Sequence, residues 1–280
     1  MYIIRILLAI FMAAPMLSSA LAQDAPKVPP AQRNGTSAPA TEDKKFMDRA
    51  RASYYDYKRE GLAQFRCDVK ADFARFYSGL EGDRPALDAV MPILEHVKYQ
   101  VLIGPTGAST VSYSSEIAPP TEEAAARVRK AAGGLEQSLT GFLRTWSPFL
   151  FDSPPLPAAG DTFRMETAAE NRVLTYKEKP NTDVRLTFRP DLSMENMIAN
   201  SPDTDADFRL TFQDTPRGYL LNEYKAVVHQ GVNTLNMAAK VEYSTISGLQ
   251  IPSRVAVYVP YKSQQLEMRF DFAGCDVKKK

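Results

Sequence analysis

Histidine occurs twice, cysteine twice and tryptophan once in 280 residues, and the charges nearly cancel. Each shortage excludes something. His96 and His229, taken with Cys67 and Cys275, do not fall at the close spacings of a Cys2His2 metal site. No Gly-x-Ser-x-Gly elbow, His-Glu-x-x-His helix or phosphate-binding Walker loop occurs. Asp203-Thr-Asp-Ala-Asp207, with Asp214 at the twelfth position, approaches a calcium loop. Its sixth position is Phe208, however, where that loop needs glycine for its sharp turn. The segment therefore reads as a solvated turn, and the chain as a non-enzyme with no cofactor and no metal. With 34 Lys and Arg against 33 Asp and Glu, there is no field to gather nucleic acid or an anionic bilayer. Lys278-Lys-Lys280 reads as a solvated tail.

The one long apolar run, Ile6 to Met16, is too short for a permanent membrane span and is broken by Pro15. Arg5 precedes it and Ala20-Leu-Ala22 follows, so residues 1–22 read as a signal peptide cut after Ala22. Loss of Arg5 leaves 33 basic residues against 33 acidic ones. No cysteine follows the cut, which removes the lipid-attachment signal. Residues 23–40 are rich in Pro, Ala and Gly without periodicity and read as a disordered linker. Residues 41–280 remain, enough for one core. The expected location is periplasmic or secreted. There, an even pair of cysteines points to a disulfide between Cys67 and Cys275, with a metal pair or unbridged core thiols as alternatives.

Alternation dominates what is left. Thr162-Phe-Arg-Met-Glu-Thr, Val184–Arg189, Phe208–Phe212 and Leu266–Phe272 place large apolar residues on every second position, as a half-buried strand requires. Short connections rich in Gly, Pro, Asn and Asp predict antiparallel neighbours. Strand one is expected near Gln64–Val69, and a hairpin over Val97–Ile103, Gly104-Pro-Thr-Gly107 and Ser109–Ser114. Helices are expected from Thr41 as N-cap through Tyr57 to a stop at Gly61, near Ala71–Leu80, and near Pro85–Leu94. The longest runs from Thr121 to Trp146, where Ala124, Val128, Ala131, Leu135, Leu139, Phe142 and Trp146 keep one face. Gly133-Gly134 predicts a bend or break there. With Pro148, Pro154, Pro155 and Pro157 it suggests a hinge and a strap.

The fold class is thus α+β: an antiparallel meander of about ten or eleven strands curled into an incomplete barrel, with an N-terminal helix and lid-like helices. Such a sheet is roughly 50 Å wide at about 4.8 Å per strand, and two or three helices cover at most about 30 Å. The apolar face therefore exceeds its local cover. An interior lined by Leu186, Phe188, Phe208, Leu210, Phe212, Met268 and Phe270, with Phe142 and Trp146 from the helix, would suit a lipid or acylated partner better than a polar metabolite. The function expected is binding or carriage of a hydrophobic ligand. The rival is an envelope regulatory module that receives a protein on the same surface.

Two segments carry a resemblance. Thr215-Pro-Arg-Gly-Tyr-Leu-Leu221 and Gly248-Leu-Gln-Ile-Pro-Ser-Arg254 resemble the strand entry and late hairpin of the periplasmic lipoprotein-carrier superfamily, LolA-like with its LolB-like and RseB-like relatives. The resemblance spans roughly Lys44 to Val277. It implies an incomplete barrel with a helical lid, a cavity for acyl chains, and no catalysis.

Overall fold

The computed structural model describes residues 41–78, 90–151, 155–158, 161–178, 181–261 and 264–280. The expected leader, the linker and the first half of the helix near Pro85 lie outside them.

Twelve strands form one antiparallel sheet: β1 Leu62–Ala71, β2 Val97–Ile103, β3 Ser109–Ser115, β4 Phe163–Ala168, β5 Asn171–Glu178, β6 Thr182–Phe188, β7 Met194–Asn200, β8 Thr204–Gln213, β9 Leu220–Gln230, β10 Asn233–Ile246, β11 Leu249–Tyr261 and β12 Gln264–Lys279. From β4 to β12 they pair in chain order; β12 then pairs with β1, and β1, β2 and β3 continue the series. The edges are β3 and β4, so the incomplete barrel stays open. Alternation behaves as expected: along β8, Ala206, Phe208 and Leu210 are buried while Asp205, Arg209 and Thr211 are exposed. Lys278 and Lys279 are solvated as expected but belong to β12, pairing with Gln64 and Leu62, so that terminus is strand and not a tail.

The helices are α1 Thr41–Ser53, α2 Phe73–Ser78, α3 Met91–Leu94, α4 Glu122–Trp146 and α5 Pro148–Phe151. α4 begins where expected, with the Thr121 hydroxyl accepting from the Ala124 amide at 3.1 Å. It runs through Gly133-Gly134 undivided. α1 ends at Ser53, well before Gly61, because the next residue leaves the helix to pair with Tyr219. A sequence stripe cannot reveal that competing partner.

Cys67 and Cys275 are joined, tying β1 to β12 across 208 residues of chain. The two strands are sheet neighbours, so the bridge reinforces the seam that unites the first strand with the last.

The connection from β3 to β4 joins the two free edges and carries α4 and α5. α4 crosses the concave face obliquely. Near its middle the Ala132 carbonyl accepts from Tyr99 of β2 at 2.9 Å, and at its end Trp146 donates to Tyr243 of β10 at 2.8 Å. The inward rows are consequently buried, which corrects the expectation that apolar surface exceeds its cover. The curl was expected; counting helices against the width of the sheet missed the Tyr54–Tyr57 segment and α5, which fill the concavity.

Candidate functional site

The interior has two ends with different chemistry. At the first, Tyr54-Tyr55-Asp56-Tyr57 turns inward and all three rings are fully buried. Buried phenols need partners, since an unsatisfied buried hydroxyl costs about 1–3 kcal/mol. Tyr54 donates to the Leu192 carbonyl at 2.9 Å and accepts from the Met194 amide at 2.6 Å, fixing the β6–β7 turn. Tyr55 accepts from the Gln250 amide at 3.0 Å, and Tyr57 donates to the Gln250 carbonyl. Burial pushes the Tyr54 and Tyr57 phenols well above their ordinary value, so they stay neutral.

Both resemblance segments meet this clamp. Gly218 has φ +112°, and a Cβ there would lie 2.5 Å from the Ser53 carbonyl oxygen. That closeness lets the Tyr219 amide donate to Ser53 at 2.8 Å and the Tyr55 amide donate to Tyr219 at 3.0 Å. Arg217 spans the gap to the other segment, pairing with Glu60 at 2.7 Å and donating to the Gly248 carbonyl at 2.6 Å. The Thr215–Leu221 and Gly248–Arg254 segments therefore dock the N-terminal segment onto the sheet. Tyr57 then heads an aromatic group, with Phe151 at 4.9 Å, Trp146 at 6.0 Å and Phe65 at 6.2 Å between ring centres.

Between the ends lie the apolar rows. Leu186, Phe188, Leu210, Phe208, Met268 and Phe270 point inward from β6, β8 and β12 and are buried. Phe142 and Trp146 meet them from α4, stacked on each other at 5.9 Å. Phe149 of α5 contacts Phe208 edge-on at 6.3 Å. Phe212 is only partly buried: a register shift after Thr211 turns it toward Tyr54, 5.1 Å away. All nine side chains belong to, or pack on, one cluster.

The lid is fastened unevenly. Before the glycine pair only Val128 and Ala132 are buried, the Ala132 carbonyl held by Tyr99, whereas Leu135, Leu139, Phe142, Leu143, Thr145 and Trp146 are buried beyond it. Thr145 shares a hydrogen bond with Tyr224 of β9 at 2.5 Å, and the Tyr57 amide donates to the Leu150 carbonyl at 2.8 Å. The strap after α5 is held by Tyr176, which donates to the Pro155 carbonyl at 2.9 Å, and by Arg51 at the Pro157 carbonyl.

At the opposite end the inward positions turn polar. Glu178 stands across from Thr182, and Thr204 across from Gln230. Asp183–Asn200 and Asn200–Asp205 pairing places these residues at one level over β5 to β9. No signal in the sequence marked this row, because its members come from separate turns.

His96 and His229 bond locally, to the Pro92 carbonyl at 2.8 Å and the Thr234 hydroxyl at 2.9 Å. Thr204–Gln213 of the calcium-like segment is strand. Among the described residues, no three His, Cys, Asp or Glu side chains gather as metal ligands, and no helix is long and apolar enough to cross a membrane.

No family model matches the chain, and no curated protein matches its sequence. Among solved structures it is similar to a LolA superfamily protein from Nitrosomonas europaea, at 7% identity and a TM-score of 0.31, covering 84% of this chain and 93% of that one.

Proposed function

We propose that this chain is an exported binder or carrier of a hydrophobic ligand, holding an acyl chain against the concave face and performing no catalysis. The observation that carries the reading is the lid's place in the topology. An apolar face spans an open sheet, and its cover is the connection between the two free edges. In a closed barrel, widening the interior breaks ladder hydrogen bonds. Here the edges are not joined, so the interior opens when the connection lifts.

The uneven fastening of α4 supports a bend at Gly133-Gly134 that raises its first turns and leaves the Trp146 end in place. An acyl chain entering beneath them would exchange water for Leu186, Phe208 and Phe142, gaining roughly 25 cal/mol for each Å² of apolar surface buried. Export is supported by the Cys67–Cys275 bridge, since disulfides persist in oxidising compartments.

The test uses the purified mature protein. Organic extracts analysed by mass spectrometry should contain bound lipid, and oleate added to delipidated protein should change the emission of Trp146, the single tryptophan. Clean extracts together with an unresponsive Trp146 would overturn the reading and favour a module that receives a protein instead.

A further inference from the structure

We propose that the end of the interior away from the tyrosine clamp is a subsite for the uncharged, hydroxyl-bearing head of an acyl ligand, a glyceryl ester being the fitting chemistry. The proposal rests on the carrier reading and gives its ligand a direction: head at the level of Thr182, Thr204 and Gln230, tail toward Trp146. Three hydrogen-bonding groups lie there without partners. The Thr182 and Thr204 hydroxyls are buried, at 1% and 4% exposure, and the Gln230 amide oxygen is shielded beside Thr204. Their strand parity aims them inward: Thr182 shares its face with Val184 and Leu186, and Thr204 shares its face with Ala206 and Phe208.

Tyr99, Tyr224 and Tyr243, which also face inward from strands, all have partners, and of the other inward strand positions Asn222 on β9 has a buried amide oxygen without one. Two sheet steps separate Thr182 from Thr204, roughly 10 Å, a span that a branched polar head can bridge. The row beyond them is Val184, Ala199, Ala206 and Val228, with two alanines at its middle on the path of a chain running inward.

The donor set selects the head. Two hydroxyls can donate to ester or hydroxyl oxygens, while an amide oxygen needs a donor in return, which a carboxylate or bare ester cannot supply. Glu178 flanks the row on the same face, opposite Thr182. Asp183 and Asp205 alternate onto the outer face, where Lys177 pairs with Asp183 at 2.7 Å, so the selection rests on the donor set.

The experiment compares 1-monooleoylglycerol, methyl oleate and oleate on delipidated protein by Trp146 emission, in the parent and in Thr182→Val/Thr204→Val. Valine keeps the shape and removes the unanswered hydroxyls, so the variant should melt no lower than the parent. The parent should prefer monooleoylglycerol to methyl oleate by about tenfold or more, the yield of one or two hydrogen bonds, and the variant should lose that preference while keeping its affinity for methyl oleate. Equal affinities in the parent, a preference that survives the double substitution, or tightest binding of oleate would each overturn the head subsite while leaving the carrier reading intact. No binding of any of the three would remove both.

Discussion

Gly218 shows how much one missing side chain can decide. Its positive φ and the Ser53 carbonyl 2.5 Å from where a Cβ would sit leave no room for alanine. Gly231 also has positive φ, at +56°, but nothing lies within 4 Å. Gly218→Ala should therefore cost about 3 kcal/mol in urea unfolding, against about 1 kcal/mol for Gly231→Ala. Equal losses would mean that the clamp does not depend on close backbone approach. The buried tyrosines add a pH limit. Their folded values lie above the ordinary 10.0, so the unfolded chain loses phenol protons first as pH rises. Their stabilisation is complete below about pH 10 and is lost as pH climbs from there toward the folded values. Tyrosinate absorbance should thus appear together with loss of circular dichroism; ionisation of all the phenols in a still-folded protein would contradict this.

Among the elements, α4 is the one whose two halves differ. Past Gly134 it is bound by buried apolar residues and by hydrogen bonds to β9 and β10; before Gly133 it is held at Val128 and Ala132, the latter by Tyr99 of β2, and its other residues are exposed or half-buried. A Cβ at either glycine would meet nothing within 4 Å, so alanine fits both. Gly133→Ala/Gly134→Ala should stabilise the folded state by up to about 1 kcal/mol per site. If the lid bends there, the double variant should also release a fluorescent acyl probe several-fold more slowly in stopped-flow mixing. An unchanged release rate with raised stability would place the moving part elsewhere.

For the molecule as a whole, the seam between β1 and β12 converts a meander into a twelve-stranded sheet. The bridge across it closes a loop of 208 residues, for which chain entropy gives about 5 kcal/mol as an upper figure. Cys67→Ala/Cys275→Ala should lower the melting temperature by roughly 10 °C or more, on a scale of about 2–4 °C per kcal/mol. A drop of only a degree or two would assign the seam's strength to its backbone ladder and to Phe65, Phe270 and Phe272 beside it.

Period-two spacing determined strands such as β8 and β12, their inward faces and six of the seven strand candidates, because burial of one sheet face forces alternation locally; helical spacing supplied Phe142 and Trp146, and the register shift after Thr211 displaced Phe212. Thr121 determined the start of α4 for the same reason: caps act within a few residues. Tertiary structure decided what depends on distant partners. It ended α1 at Ser53 because Tyr219 offered a backbone to pair with, laid α4 across the open face, and brought Thr182, Thr204 and Gln230 from separate strands to one level. Each of these follows from strand order and register, which no local stretch of chain encodes.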